Sequence, residues 1–172
     1  MARIGEHKVS TRILETWLPN LTPWRLNMAQ EAVGAIFMSL NTGRVMLNLR
    51  SEDVTYSNYW GFVGGKVEND ETPIEALNRE IREEMGPNVP EKIDIIPFDV
   101  FTTKNERFKY YSFLVLVQDE FVPELNAESN GYAWVKMGMW PKPLHPGAKP
   151  TLYNPTVLKD FETIRDKRKG RV

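Results

Sequence analysis

The sequence predicts an α/β fold in which a mixed β-sheet lies between covering helices. Three observations carry that expectation: β-prone apolar runs flank a turn, a later run is apolar on both of its alternating faces, and two segments carry the caps and periodicity of amphipathic helices. Taken in order, residues 31–40 (EAVGAIFMSL) suit a strand, Asn41-Thr42-Gly43 has turn chemistry, and Val45 to Arg50 returns as the hairpin partner. A helix then opens with Thr72 as N-cap, Pro73 at its first position and Glu75 completing a capping box, and it stops at Gly86 with Pro87 just beyond. Ile74, Leu77, Ile81 and Met85 recur at spacings of three and four, which makes one apolar stripe facing a core.

Residues 93–103 (IDIIPFDVFTT) read as a strand whose Pro97 requires an edge position or a bulge, because proline has no amide hydrogen for a central ladder. The second half of residues 108–117 (FKYYSFLVLV) is apolar on both faces, as in a strand covered on both sides. After Gly131, YAWV forms a short strand, and residues 141–155 are a proline-rich connection. Asn154 and Pro155 open a last helix reaching Asp166, with Val157, Leu158, Phe161 and Ile164 as its apolar face. The two helices then cover opposite faces of the sheet.

Composition narrows the function classes. A chain of 172 residues holds one substantial core and is too short for two full domains, so residues 1–28 are expected as an extension and residues 29–172 as the domain. With 41% hydrophobic and 26% charged residues it belongs with soluble globular proteins. The absence of cysteine excludes disulfides, thiolate nucleophiles and cysteine zinc sites. Two histidines, His7 and His145, leave little for a histidine metal centre, and both are expected as ordinary surface or loop residues. No apolar run reaches membrane-spanning length and the N-terminus lacks the apolar core of a secretory signal, so no membrane association and a cytoplasmic location are expected. A net charge of -1 argues against dedicated nucleic-acid binding, although a bound metal can neutralise a nucleotide's phosphates locally. Leu14, Trp17, Leu18, Leu21 and Trp24 in the extension suit packing on the core or at a homodimer contact.

The chemistry concentrates in the first helix, where Glu80, Glu83 and Glu84 crowd the C-terminal end beside the apolar stripe. Like charges three and four residues apart repel by roughly 0.2–0.5 kcal/mol per pair, and an anion in the last turn opposes the helix dipole by about 0.3–1 kcal/mol. A solvated acidic face carries such a burden in many proteins; a hard divalent cation turns the same repulsion into binding, because Mg²⁺ takes oxygen ligands and commonly meets phosphate oxygens. The wider spacing discriminates between the two. Gly65, five residues, Glu71, seven residues, then Arg79-Glu80-Ile81-x-Glu83-Glu84-x-Gly86 resembles, position by position, the signature of the Nudix hydrolases. Only the final apolar position departs, with Pro87 in place of an aliphatic residue, and in the approach Trp60 to Glu68, Val63 stands where a proline is usual.

That resemblance covers the loop and helix closely and implies the rest. It implies an α/β/α sandwich with a mixed sheet, and cleavage by water of a diphosphate linkage in a nucleoside diphosphate joined to another group X, with Mg²⁺ or Mn²⁺ as cofactor. Carried over residue by residue, Glu80, Glu83 and Glu84 are the metal ligands, the Gly64 carbonyl adds a further oxygen, and Glu71 gives structural support or an outer contact. Arg79, always protonated, suits holding Glu80 or Glu71 in a two-pronged hydrogen bond. The general base lies either on the motif helix or on a loop that offers Glu124 and Glu128. Glu128 also begins ESNGYAW, which looks similar to a Glu-x-x-x-Tyr-x-Trp pattern of dinucleoside tetraphosphate hydrolases. Arg50, Lys66, Lys104, Arg107 and Lys109 are the candidates for phosphate contact, Lys66 first because it adjoins the glycine pair, and Tyr59, with Tyr56 and Trp60, for stacking on a base. Rival readings are a dinucleoside polyphosphate (Ap4A-type) hydrolase, triphosphate or nucleotide-sugar cleavage, and a catalytically silent nucleotide-binding module; the complete carboxylate set argues against the last.

Overall fold

The structure, a computed structural model, describes residues 29–68 and 70–169. Its elements run β1 (Gln30–Ser39), β2 (Val45–Arg50), β3 (Trp60–Gly61), α1 (Pro73–Met85), β4 (Asp94–Thr102), β5 (Phe108–Val117), β6 (Ser129–Val135), α2 (Lys149–Leu152) and α3 (Pro155–Lys169). The sheet order is β3-β2-β1-β5-β4, with β6 also paired to β2. β1 is central. It runs parallel to β5 along its whole length, from Gln30 opposite Phe108 to Ser39 opposite Val117, and antiparallel to β2, so the sheet is mixed.

β1 pairs with β2 only at its end, Phe37 with Met46 and Met38 with Val45, and the two strands then separate. Into the gap comes the segment after β3, where Val63 bridges to Ala35 and Lys66 to Ala32. Val33 donates its N–H to the Gly65 carbonyl at 2.9 Å and Ala35 to the Val63 carbonyl at 2.7 Å. The glycine pair is thereby held against the middle of the sheet.

Alternation along the strands sorts the core into two layers. Val33, Ala35, Phe37, Met46 and Val115 pack with Leu77, Ile81 and Met85 of α1. Ile36, Met38, Leu114 and Leu116 face the other way and pack with Phe161 of α3. The result is the expected α/β/α sandwich. β5 is buried from Ser112 to Val117, as its two apolar faces require, and β4 takes the edge with a register shift between Pro97 and Asp99. No helix among the described residues is long and apolar enough to cross a membrane.

Several expectations need correction. Ile74 does not join the core stripe; it is 41% exposed, while Ala76 is buried, because the capped first turn rotates residue 74 outward. His145 lies in a loop but is only 6% exposed, packed against the edge of the Tyr56 ring, and its pKa is lowered to about 3 by burial and by the nearby Arg50 charge. The proline-rich connection contains α2, the last strand begins at Ser129 rather than after Gly131, and α3 continues to Lys169. The two departures from the motif have local explanations. Val63 donates to the Ala35 carbonyl at 3.3 Å, which a proline cannot do, and Pro87 is exposed while Val89 packs on the α1 layer. The expected packing of residues 1–28, and His7 with them, lies outside the described residues.

Candidate active site

The caps of α1 set the position of its carboxylates. Thr72 Oγ1 accepts from the Glu75 N–H and the Glu75 carboxylate accepts from the Thr72 N–H at 2.7 Å, so the capping box closes at both ends. At the other terminus Gly86 adopts φ +71, and a Cβ there would meet the Glu124 side chain at 2.7 Å. Glycine thus lets the 120–128 loop dock on the helix end, where Glu124 donates its N–H to the Met85 carbonyl at 2.9 Å.

Arg79 gathers the acidic residues. Its Nε and Nη2 grip Glu71 at 3.2 and 2.7 Å in a fork, Nη1 donates to Glu80 at 2.9 Å and to Glu83 at 3.2 Å, and Nη2 also reaches the Lys66 carbonyl at 2.9 Å. The hydrogen bonds from Arg79 hold the Glu71 carboxyl below its usual range, and the Arg79 guanidinium is raised further above its own. Gly64 is required here by its backbone, and Gly65 by the present position of the Glu80 carboxylate. A Cβ on Gly64, at φ +146, would stand 2.1 Å from the Val33 carbonyl oxygen, and one on Gly65 would stand 2.2 Å from the Glu80 carboxylate.

Glu84 is different from its neighbours because it is buried, at 5% exposure. Its Oε1 accepts from the Gly64 N–H at 3.0 Å, while Asn48 Nδ2 stands 3.4 Å from Oε2 and 2.7 Å from Ser129 Oγ. Burial first, and then the like charges of Glu80 and Glu128, push its pKa up to about 8, against the opposing Gly64 hydrogen bond and the Arg50 charge. Glu80 is raised in the same direction, mainly by burial.

The structure therefore assembles most, but not all, of the residues singled out from the sequence. Glu128 is exposed at the start of β6, with its carbonyl accepting from the Ser51 N–H at 2.8 Å, and its charge is felt by Glu80 and Glu84. Arg50 reaches the Thr55 carbonyl through Nε at 2.7 Å and is felt by Glu84 and His145. Lys66 is exposed beside Gly65, with its side chain outside the Arg79 network. Tyr59 packs edge-on to Tyr56 at 5.7 Å, and Trp60 is drawn into the small cluster around Leu47, Leu144 and Leu152. Tyr132 and Trp134 are half-buried and pack against the core, Trp134 donating Nε1–H to the Phe121 carbonyl at 2.9 Å. Asn48 and Ser129 were not foreseen. The available signal was one amide inside the otherwise apolar start of VMLNLR, on a strand buried from Val45 to Asn48.

A family model, the NUDIX domain, matches residues 28–154. The chain belongs to the Nudix family. Among relatives of this Nudix protein, a dihydroneopterin triphosphate diphosphatase of Haemophilus influenzae is 29% identical over 121 residues, spanning 61% of this chain and 73% of that protein. A nucleoside triphosphatase, NudI, of Escherichia coli is 33% identical over 107 residues, spanning 56% of this chain and 75% of that protein. In fold it is similar to a MutT NUDIX hydrolase from Burkholderia pseudomallei, with a TM-score of 0.60 and 23% identity over 73% of this chain and 97% of the other. It is accordingly an enzyme of the Nudix pyrophosphohydrolase class.

The donor set of this Nudix site suits the divalent ion the family implies. All its groups are oxygens, Glu84 is crowded by Glu80 and Glu128, and Glu80 and Glu83 each give only one oxygen to Arg79. A pH test follows from Glu84. Its folded pKa of about 8 lies above the ordinary 4.5, so the neutral carboxyl stabilises the metal-free protein at low pH and that contribution is lost as pH rises through about 8. Thermal unfolding in chelator is expected to shift to lower temperature between pH 5 and 8, and Mg²⁺ to restore more stability at pH 8 than at pH 5.5. Equal Mg²⁺ gains at both pH values would contradict the assignment.

Proposed function

We propose that this Nudix hydrolase cleaves the diphosphate linkage of a nucleotide derivative, a nucleoside diphosphate joined to X, and that X is phosphate in the substrate to test first. The observation that carries the hydrolase reading is the Arg79 hub, which ties Glu71, Glu80 and Glu83 to the backbone beside Gly65 while Gly64 holds Glu84. The choice of X is supported by the two relatives named for triphosphate substrates.

Glu80, Glu83 and Glu84, with the Gly64 carbonyl, would hold Mg²⁺ or Mn²⁺. When bound, the ion supplies charge neutralisation on the phosphates and makes a bound water more acidic. Arg79 restrains the carboxylates so that little reorganisation is left for the reaction itself. Arg50 and Lys66 offer positive charge to the remaining phosphates, and Tyr59 borders the same loop as Arg50. Glu128 accepts the proton of the attacking water. Tyr132 and Trp134 pack partly buried against the core, Trp134 through its Nε1–H to the Phe121 carbonyl, so the dinucleoside polyphosphate reading rests chiefly on Glu128.

A substrate panel with and without Mg²⁺ or Mn²⁺, with products identified by mass, tests the proposal. Nucleoside monophosphate and pyrophosphate are the expected products from a triphosphate; release of orthophosphate alone, or nucleotide binding with no cleavage, would refute it. Glu128→Gln is expected to lower kcat by about 10²-fold, the lower end for a general base, with Mn²⁺ affinity little changed. Unchanged turnover would remove Glu128 from the scheme.

A further inference from the structure

Gly34 has no turn to make and no positive φ, yet its missing side chain is filled. A Cβ at this position would lie 1.9 Å from the hydroxyl oxygen of Tyr110 and 2.7 Å from its ring carbon Cζ. Tyr110, on the neighbouring parallel strand opposite Ala32, therefore leans across β1 with its hydroxyl on the Gly34 backbone. The edge of the same residue is occupied by the active-site loop, since a Cβ on Gly64 would stand 2.9 Å from the Gly34 Cα. Gly64 in turn donates its N–H to Glu84 at 3.0 Å. Two glycines thus bring a tyrosine hydroxyl and a metal-binding carboxylate to adjoining sides of one strand residue.

The hydroxyl makes no hydrogen bond to any described residue, and Tyr110 is only half-buried, so the hydroxyl is open to a ligand. A half-buried donor that no protein group uses is available to a bound ligand. The charges of Glu84 and Arg50 both act on it, and burial keeps it protonated, so it remains a donor. Phe108 beside it, with ring centroids 6.5 Å apart, limits its freedom to swing away.

We propose that Tyr110 is a substrate-contacting residue whose hydroxyl donates to a phosphate oxygen of the bound polyphosphate, in a position that exists only because residue 34 is glycine. The inference rests on the functional reading above, to which it adds a residue and the part of the substrate that residue reads. A nucleobase contact is the competing assignment. The neighbourhood of Arg50 and Glu84 favours phosphate, because a neutral donor there adds to positive charge on the polyphosphate without repelling the ion between them.

The test uses the full chain with Mg²⁺ and imidodiphosphate, a pyrophosphate analogue that water does not cleave. Tyr110→Phe deletes the hydroxyl and leaves the ring; Gly34→Ala keeps the hydroxyl and displaces it. Both are expected to weaken Mg²⁺-imidodiphosphate binding in titration calorimetry by about tenfold, and to raise KM for the panel substrate by a similar factor with kcat changed less than threefold. Either variant binding the analogue as tightly as the wild type would overturn the proposal, as would failure of the wild type to bind it. Weakened binding of the matching nucleoside with unchanged analogue binding would assign the hydroxyl to the base and overturn it too. If the wild type binds the analogue but cleaves nothing in the panel, the functional reading fails while the Tyr110 contact is still decided by the calorimetry.

Discussion

Glu84→Gln is expected to abolish turnover while making the metal-free enzyme more stable. The buried carboxylate carries a charge that its surroundings disfavour, as its pKa of about 8 records, and glutamine removes that charge while keeping an oxygen for the Gly64 N–H. The folded protein should then unfold at higher temperature in chelator at pH 8 and lose the decline between pH 5 and 8. On the proposed assignment the same change removes a metal ligand that the neutral amide replaces poorly, so kcat is expected to fall by about 10³-fold, a barrier increase on the order of 4 kcal/mol. Mg²⁺ should no longer raise the unfolding temperature. A variant that retains kcat within tenfold and still gains stability from Mg²⁺ would exclude Glu84 as a ligand.

Arg79→Lys should fail for a different reason. The guanidinium engages three carboxylates and the Lys66 carbonyl at once through a rigid planar fork, which an ammonium on a flexible stem cannot span. Activity is expected to drop by about 10–100-fold, the range for a group that orients metal ligands rather than binding the metal. The required Mn²⁺ concentration should rise with it, and the unfolding temperature should fall even without metal, because a lysine keeps the charge but loses the forked hydrogen bonds to Glu71 and the simultaneous bond to Glu80. Glu84→Gln and Arg79→Lys thus move metal-free stability in opposite directions while both lower activity. A lysine variant with normal Mn²⁺ dependence would reduce Arg79 to a structural ion pair.

How far these sites could be read from the chain depends on whether the information is local. Thr72, Pro73, Glu75 and Gly86 act within one or two helical turns, and the helix starts and stops where they say. The alternation of β5 is also local and marks its burial on both faces. Ile74 shows the limit of the same reasoning: its spacing matches the core stripe, but the position of the capped turn against the sheet leaves it exposed. His145 was misplaced because a loop residue's burial depends on what the rest of the chain lays over it, here Tyr56 and Gly61.

By itself the sequence determined the enzyme family and which acidic residues share the end of one helix, because spacing within one loop and helix places those groups whatever surrounds them. It also determined the two covering helices and the edge position or bulge that Pro97 imposes. Only the tertiary structure decided that Glu84 alone is buried, that Asn48 and Ser129 stand beside it, and that Tyr110 reaches across Gly34 toward Gly64. These depend on how far β1 and β2 separate and on which strand runs parallel to which. Contacts of that kind join residues 36 to 81 positions apart, and no periodicity along the chain encodes them.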